Sequence, residues 1–194
     1  DECGMYLDNH IALGHTRLSI IDLATGGQPL HNEDKTLWIV LNGEIFNYPE
    51  LRKELETVGH RFYTSSDTEV LLHLYEEKGA SCLRELNGQF AFAIWDSRKK
   101  ILFLARDRVG IRPLHYTFHN FTFYFASEIK SIFASNKVPR IIDSVALEQI
   151  FTVWTTLPGK TCFQNISELK PGHYAVVSEG SFVEKSYWDI PYYP

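Results

Sequence analysis

Apolar residues fall along this chain in short dense runs broken by polar turns. Residues 37–41 are continuously apolar and strand-like. "QFAFAIWD" (89–96) and "KILFLARD" (100–107) flank the polar turn Ser97-Arg98-Lys99, which predicts a hairpin. "LHYTF" (114–118) and "FTFYFA" (121–126) flank His119-Asn120 and predict a two-residue hairpin. "HYAVV" (173–177) and "FVEKSY" (182–187) bracket a Ser-Glu-Gly-Ser turn. Helix signals lie between these runs. Pro49 suits the first helical position of "PELRKELETV", with Gly59 as a left-handed C-cap. Ser66-Asp67-Thr68-Glu69 has capping-box spacing ahead of Val70, Leu71, Leu74 and Tyr75. Ser127 starts "SEIKSIFA", and Asp143 or Ser144 starts "VALEQIFTVW". Helices grouped among hairpins predict an α+β fold with antiparallel sheets, not alternating βαβ units.

Composition narrows the function classes. The 194 residues are 44% hydrophobic and 22% charged, an ordinary globular balance for one large domain. The net charge is −5, and the basic residues are scattered. The densest basic cluster, Arg98-Lys99-Lys100, reads as a solvated turn, so neither nucleic acid nor a membrane surface is expected as a partner. No apolar run approaches the roughly 20 residues of a membrane span. Cys3, Cys82 and Cys162 have neither metal-ligand nor disulfide-framework spacing, and the cytoplasm is the simplest compartment. The Asp1 start and the Tyr192-Tyr193-Pro194 end read as those of a piece of a longer polypeptide.

Asn42-Gly43 has two readings. Asn-Gly is the strongest short signal for a type I′ turn. Alternatively, a side-chain amide and a glycine N–H at a strand end are fixed donors for a developing oxyanion, and glycine lets a substrate approach the backbone. Arg17 is either a surface arginine or a planar fork for a carboxylate. Asp67 either complements the dipole of a helix first turn or pairs with an ammonium. An arginine, an aspartate and two amide donors would together suit an amino acid with a reactive side-chain carbonyl. Cys3 would need removal of Asp1 and Glu2 before its own α-amine could act as base. Cys82 and Cys162 read as structural. "LPGKT" (157–161) lacks the first glycine of a phosphate loop, and the histidines show no paired-ligand spacing, so no metal site is expected.

"LGHTRLSIIDLATGGQPL", "LNGEIFNY", "SSDTEVLLHLYEEKG", "LNGQFAFAIWD", "LFLARDRVGIRPLHY" and "FASEIKSI", taken in order, resemble the glutaminase domain of the glutamine-dependent asparagine synthetases. These are class II, N-terminal-nucleophile amidotransferases. The resemblance runs over almost the whole chain. It implies a four-layer sandwich, with two antiparallel sheets between helical layers, over residues 1–185, and a linker at 186–194 leading to a synthetase domain. It implies that Arg17 holds the glutamine α-carboxylate with help from the Ile20 main chain, and that Asp67 binds the α-ammonium. Asn42 and Gly43 would form the oxyanion hole, making the pair both a turn and a donor site, and Glu44 would help fix the amide end.

The family nucleophile is a cysteine in a Cys-Gly-Ile context on a first strand that would lie upstream of Asp1. Cys3 matches a later strand and is not expected to be the nucleophile. The fold is therefore expected without its first strand, leaving a sheet edge at which two copies could pair as a homodimer. The resemblance implies no cofactor in this domain, and ATP and Mg for the synthetase domain. A non-catalytic glutamine-binding or docking module is the rival reading.

Overall fold

The computed structural model describes residues 2–17, 22 and 26–191. The centre is a six-stranded antiparallel sheet built from β3 (Leu30–His31), β4 (Leu37–Ile45), β5 (Gly88–Asp96), β6 (Ile101–Arg106), β10 (His173–Ser178) and β11 (Ser181–Ser186), in the spatial order β11-β10-β6-β5-β4-β3. Alternate residues of its inner strands enter two different cores. Leu37, Ile39, Leu41, Phe90, Phe92, Ile94 and Phe103 face one core, and Ala91, Ala93, Trp95, Leu102 and Leu104 face the other. Trp38 and Val40 pack against the second core. A sheet covered on both faces needs no polar alternation, which explains the continuous apolar run at residues 37–41.

The first core is closed by α1 (Tyr48–Thr57) and α2 (Asp67–Lys78), through Leu51 and Leu55 of α1 and Val70, Leu71 and Leu74 of α2. Opposite lies a second layer in two pieces. One is the hairpin β1 (Glu2–Leu7) with β2 (Ala12–Arg17). The other is a three-stranded sheet of β7 (His115–His119), β8 (Thr122–Ala126) and β9 (Ser167–Glu168), in the order β8-β7-β9. The outer layer carries α3 (Ile129–Ala134), whose Ile132 and Phe133 pack with Val138, Ile166 and Tyr124, and α4 (Ser144–Val153). This is the expected four-layer α+β arrangement. In α4 only Ala146 is buried, while Phe151 and the C-cap Trp154 are largely exposed. Among the described residues no helix is long and apolar enough to cross a membrane.

Local chemistry departs from expectation at three turns. Asn42-Gly43 does not turn the chain: both residues lie inside β4, opposite Ala91 and Phe90 of β5. Gly43 has φ +142°, and a Cβ on it would stand 2.0 Å from the Gln89 carbonyl oxygen. Its glycine character thus serves close strand approach rather than a turn. The β7–β8 turn is shifted by one residue, because His119 pairs with Thr122 and leaves Asn120 and Phe121 at the tip, both with positive φ. Ser66 caps α2 by accepting the Thr68 N–H, but Glu69 does not close the box. Its carboxylate instead accepts the Tyr63 and Thr64 N–H groups of the preceding loop.

Candidate functional site

The exposed rungs of β4 define the site. Ser97 N–H donates to Thr36 O and Phe46 N–H to Asn87 O, so the even-numbered positions of β4 bond to β5. The odd-numbered N–H and C=O groups point to the other edge. There β3 covers only Trp38 and Ile39. Beyond it, side chains replace a strand. Gln28 Oε1 accepts the Leu41 N–H at 2.7 Å, His15 Nε2 meets the Leu41 carbonyl at 3.0 Å, and Asp67 Oδ2 accepts the Ile45 N–H at 2.9 Å. The Gly43 N–H lies between these rungs and donates no hydrogen bond to a described residue. Asn42 and Glu44 follow Trp38 and Val40 in the strand alternation, and their side chains likewise form no hydrogen bond with a described residue.

Asp67 opens α2 with 5% of its surface exposed, and Ser66 and Thr68 flank it. Burial pushes its carboxyl above the usual aspartate range, against the hydrogen bond from Ile45, which favours the anion. Arg17 ends β2 and is buried. Its Nη2 donates to the Asp22 carbonyl at 2.7 Å, and its Nη1 lies 3.6 Å from the Glu2 carboxylate. The Asp22 side chain in turn accepts the Ser65 N–H at 2.7 Å, two residues before Asp67. Gln28 completes the frame by donating from Nε2 to Thr68 Oγ1 at 3.3 Å. Arg17, Asp67 and the Asn42–Glu44 segment are therefore joined through one network that links β2, β4 and the start of α2. Ile20 lies outside the described residues.

Two members of this network carry no motif of their own. His15, kept neutral by burial and by the nearby Arg17 charge, donates its Nε2–H to Leu41 O. Gln28 fixes the same residue from its N–H side. The signal for His15 was its alternation with Arg17 along one strand; Gln28 had none.

A protein-family model described as "Glutamine amidotransferase domain" matches residues 1–188. The chain belongs to this family. It is 40% identical over 193 residues to asparagine synthetase [glutamine-hydrolyzing] 3 of Bacillus subtilis, covering 98% of this chain and 31% of that protein. Against asparagine synthetase 1 of the same organism it is 42% identical over 196 residues, covering 100% and 31%. The protein named amidase chry2 of Gibberella zeae is 37% identical over 95% of this chain, which spans 27% of that protein. The chain thus spans about three tenths of these relatives' length. Among solved structures, the glutamine phosphoribosylpyrophosphate amidotransferase of B. subtilis superposes with a TM-score of 0.61 at 27% identity, covering 90% of this chain and 34% of that one.

Within this amidotransferase domain the cysteines differ sharply. Cys82 sits in a 3-10 turn, Gly79–Arg84, with no exposed surface, and burial pushes its thiol up to about 12. A thiol so rarely ionised is a poor nucleophile. Cys3 is exposed on β1 opposite Thr16. Cys162 is partly exposed, and its carbonyl accepts the N–H of Asp143, the cap of α4.

The domain also explains its Arg-Asp pair. Arg106 is buried, with its guanidinium donating to the carbonyls of Arg112, Leu169 and Gly110. Asp107 accepts the N–H groups of Phe90, Val109, Ile111 and Arg112. Phe90 is the cross-strand partner of Gly43, so this loop buttresses the strand behind the candidate donor.

Proposed function

We propose that this domain binds L-glutamine and, in the complete protein, acts as the cytoplasmic glutaminase part of an asparagine synthetase-like enzyme. The observation that carries the reading is a cation and an anion, Arg17 and Asp67, fixed in one hydrogen-bonded frame with the β4 edge. Arg17 takes the α-carboxylate in its planar fork, with the main chain at Ile20 assisting, and Asp67 takes the α-ammonium. The side-chain carbonyl oxygen is received by Asn42 Nδ2 and the Gly43 N–H, and Glu44 holds the amide nitrogen. When a thiolate adds to the amide carbon, the carbonyl electron pair moves onto that oxygen, where the two donors stabilise it. Collapse expels the protonated nitrogen as ammonia and leaves a thioester, which water hydrolyses to glutamate. One such donor is typically worth about 10²–10³ in rate.

None of Cys3, Cys82 and Cys162 is assigned the thiolate. The residues of this chain supply binding and charge stabilisation. ATP and Mg would serve the synthetase part, which would amidate aspartate with the released ammonia. The names of the B. subtilis relatives support that acceptor. The G. zeae relative carries the name amidase instead. A second reading for the chain is a glutamine-binding module without hydrolysis.

Calorimetric titration of the complete protein with L-glutamine, alongside an ammonia-release assay, separates these. Saturable binding weakened at least tenfold by Arg17→Lys, together with ammonia release, supports the first reading. Binding without release supports the second. Absence of binding overturns both.

A further inference from the structure

Away from this site, residues distant in sequence converge where α2 meets the α1–α2 connection and the β3–β4 turn. His60 follows α1, His73 lies in α2, and Glu33 lies in the β3–β4 turn. One ligand atom from each lies within 4.8 Å of those of the other two. His60 Nδ1 and His73 Nδ1 face each other at 3.0 Å. Glu76 Oε2 lies 3.3 Å from His73 Nδ1 and 4.0 Å from His60 Nδ1, and Glu33 Oε2 lies 4.0 Å from His73 Nδ1.

The outer nitrogen of His60 has a fixed partner, whereas that of His73 has none at hydrogen-bond distance. His60 Nε2 lies 2.9 Å from Glu77 Oε1, so the carboxylate fixes the proton on Nε2 and leaves Nδ1 as a lone pair. His73 is fully buried; its Nε2 makes no hydrogen bond, and the nearest carboxylate oxygen is Glu69 Oε1 at 3.8 Å. His73 Nδ1 can carry the proton shared with His60 Nδ1 and Glu76 Oε2 or, with its proton on Nε2, offer a second lone pair to a cation among the same carboxylates. Tetrahedral Zn²⁺ with ligands about 2.0–2.1 Å away sets neighbouring ligand atoms about 3.3 Å apart. The distances of 3.0, 3.3 and 4.0 Å bracket this value, so small side-chain rotations close the shell.

We propose that His60, His73, Glu33 and Glu76 form a binding site for one divalent transition-metal ion, with Zn²⁺ the best match. Imidazole with carboxylate ligands suits zinc better than calcium or magnesium, which prefer all-oxygen shells. Four protein ligands make the site structural. It clips the α1–α2 connection and the β3–β4 turn onto α2, the helix whose first residue is Asp67.

The test is Zn²⁺ titration of the chelator-stripped full chain, by calorimetry and by thermal melting. The site predicts one equivalent bound and a melting temperature that rises with Zn²⁺. His60→Gln lowers affinity at least 100-fold and removes the rise. Glu33→Gln, at an exposed residue whose loss cannot unfold the core, lowers affinity at least tenfold. Co²⁺ in place of Zn²⁺ gives the visible absorption of a tetrahedral site, lost in His60→Gln and requiring at least tenfold more Co²⁺ in Glu33→Gln. No saturable Zn²⁺ binding, or binding unchanged in Glu33→Gln and His60→Gln, overturns the proposal.

Discussion

Asp67 Oδ2 accepts the Ile45 N–H at 2.9 Å, so the carboxylate that opens α2 also secures the end of β4. Its two duties can be separated. Asp67→Asn keeps an acceptor for Ile45 but removes the charge. It should weaken glutamine binding at least tenfold, about 1.4 kcal/mol, while leaving the melting temperature near neutral pH unchanged or raised.

The same residue sets a pH dependence. Burial raises its folded pKa above the ordinary 3.8, so the folded state binds the proton more tightly than the unfolded chain. Its contribution to stability is full below that ordinary value and is lost as pH rises through the raised one. Melts of the unliganded protein across this acidic range should show that loss, superimposed on other carboxylates. Asp67→Asn should remove the Asp67 portion, seen as a difference between the two melting profiles.

Gly43→Ala tests the strand reading against the turn reading. A methyl would collide with the Gln89 carbonyl at a backbone angle that alanine avoids. The expected cost is about 3 kcal/mol or more, read by urea denaturation. A type I′ turn at an open tip would tolerate alanine far better.

Asp107→Ala leaves the N–H groups of Phe90, Val109, Ile111 and Arg112 without their acceptor. We expect a loss of about 3 kcal/mol by denaturation. Glutamine binding should fall as well, through the Phe90–Gly43 pair.

Alkylation at mildly alkaline pH should mark Cys3 and spare Cys82 in the folded protein, since Cys3 is exposed while Cys82 is buried with its thiol pushed up to about 12. Mass spectrometry of the peptides reads the outcome. Denaturant should make the two equally reactive.

Much of this was legible in the residues because it is local. Hairpins, helix caps and the doubly buried strand follow from alternation and turn chemistry. Where the sequence misled, the deciding partner lay outside the motif that was read. Asn42-Gly43 has the composition of a turn, yet β5 pairs across it without interruption. Glu69 sits at capping-box spacing but turns to the loop ahead of Ser66. His60 and His73 share no ligand motif in sequence, because the α1–α2 connection brings them together only in the folded chain. Gln28 resembles any loop glutamine until Leu41 is seen to need an acceptor.

The brevity of β3 has a consequence of its own. The register that sets Leu30 opposite Ile39 would, if prolonged, set Gly26 opposite Gly43. A longer β3 would fill the rung that, among the described residues, Gln28, His15 and Asp67 leave open. The proposed catalytic amide is thus a position the sheet declines to use, and its availability depends on where a neighbouring strand stops. Lengthening that pairing would silence the donor with every substrate-binding side chain still in place.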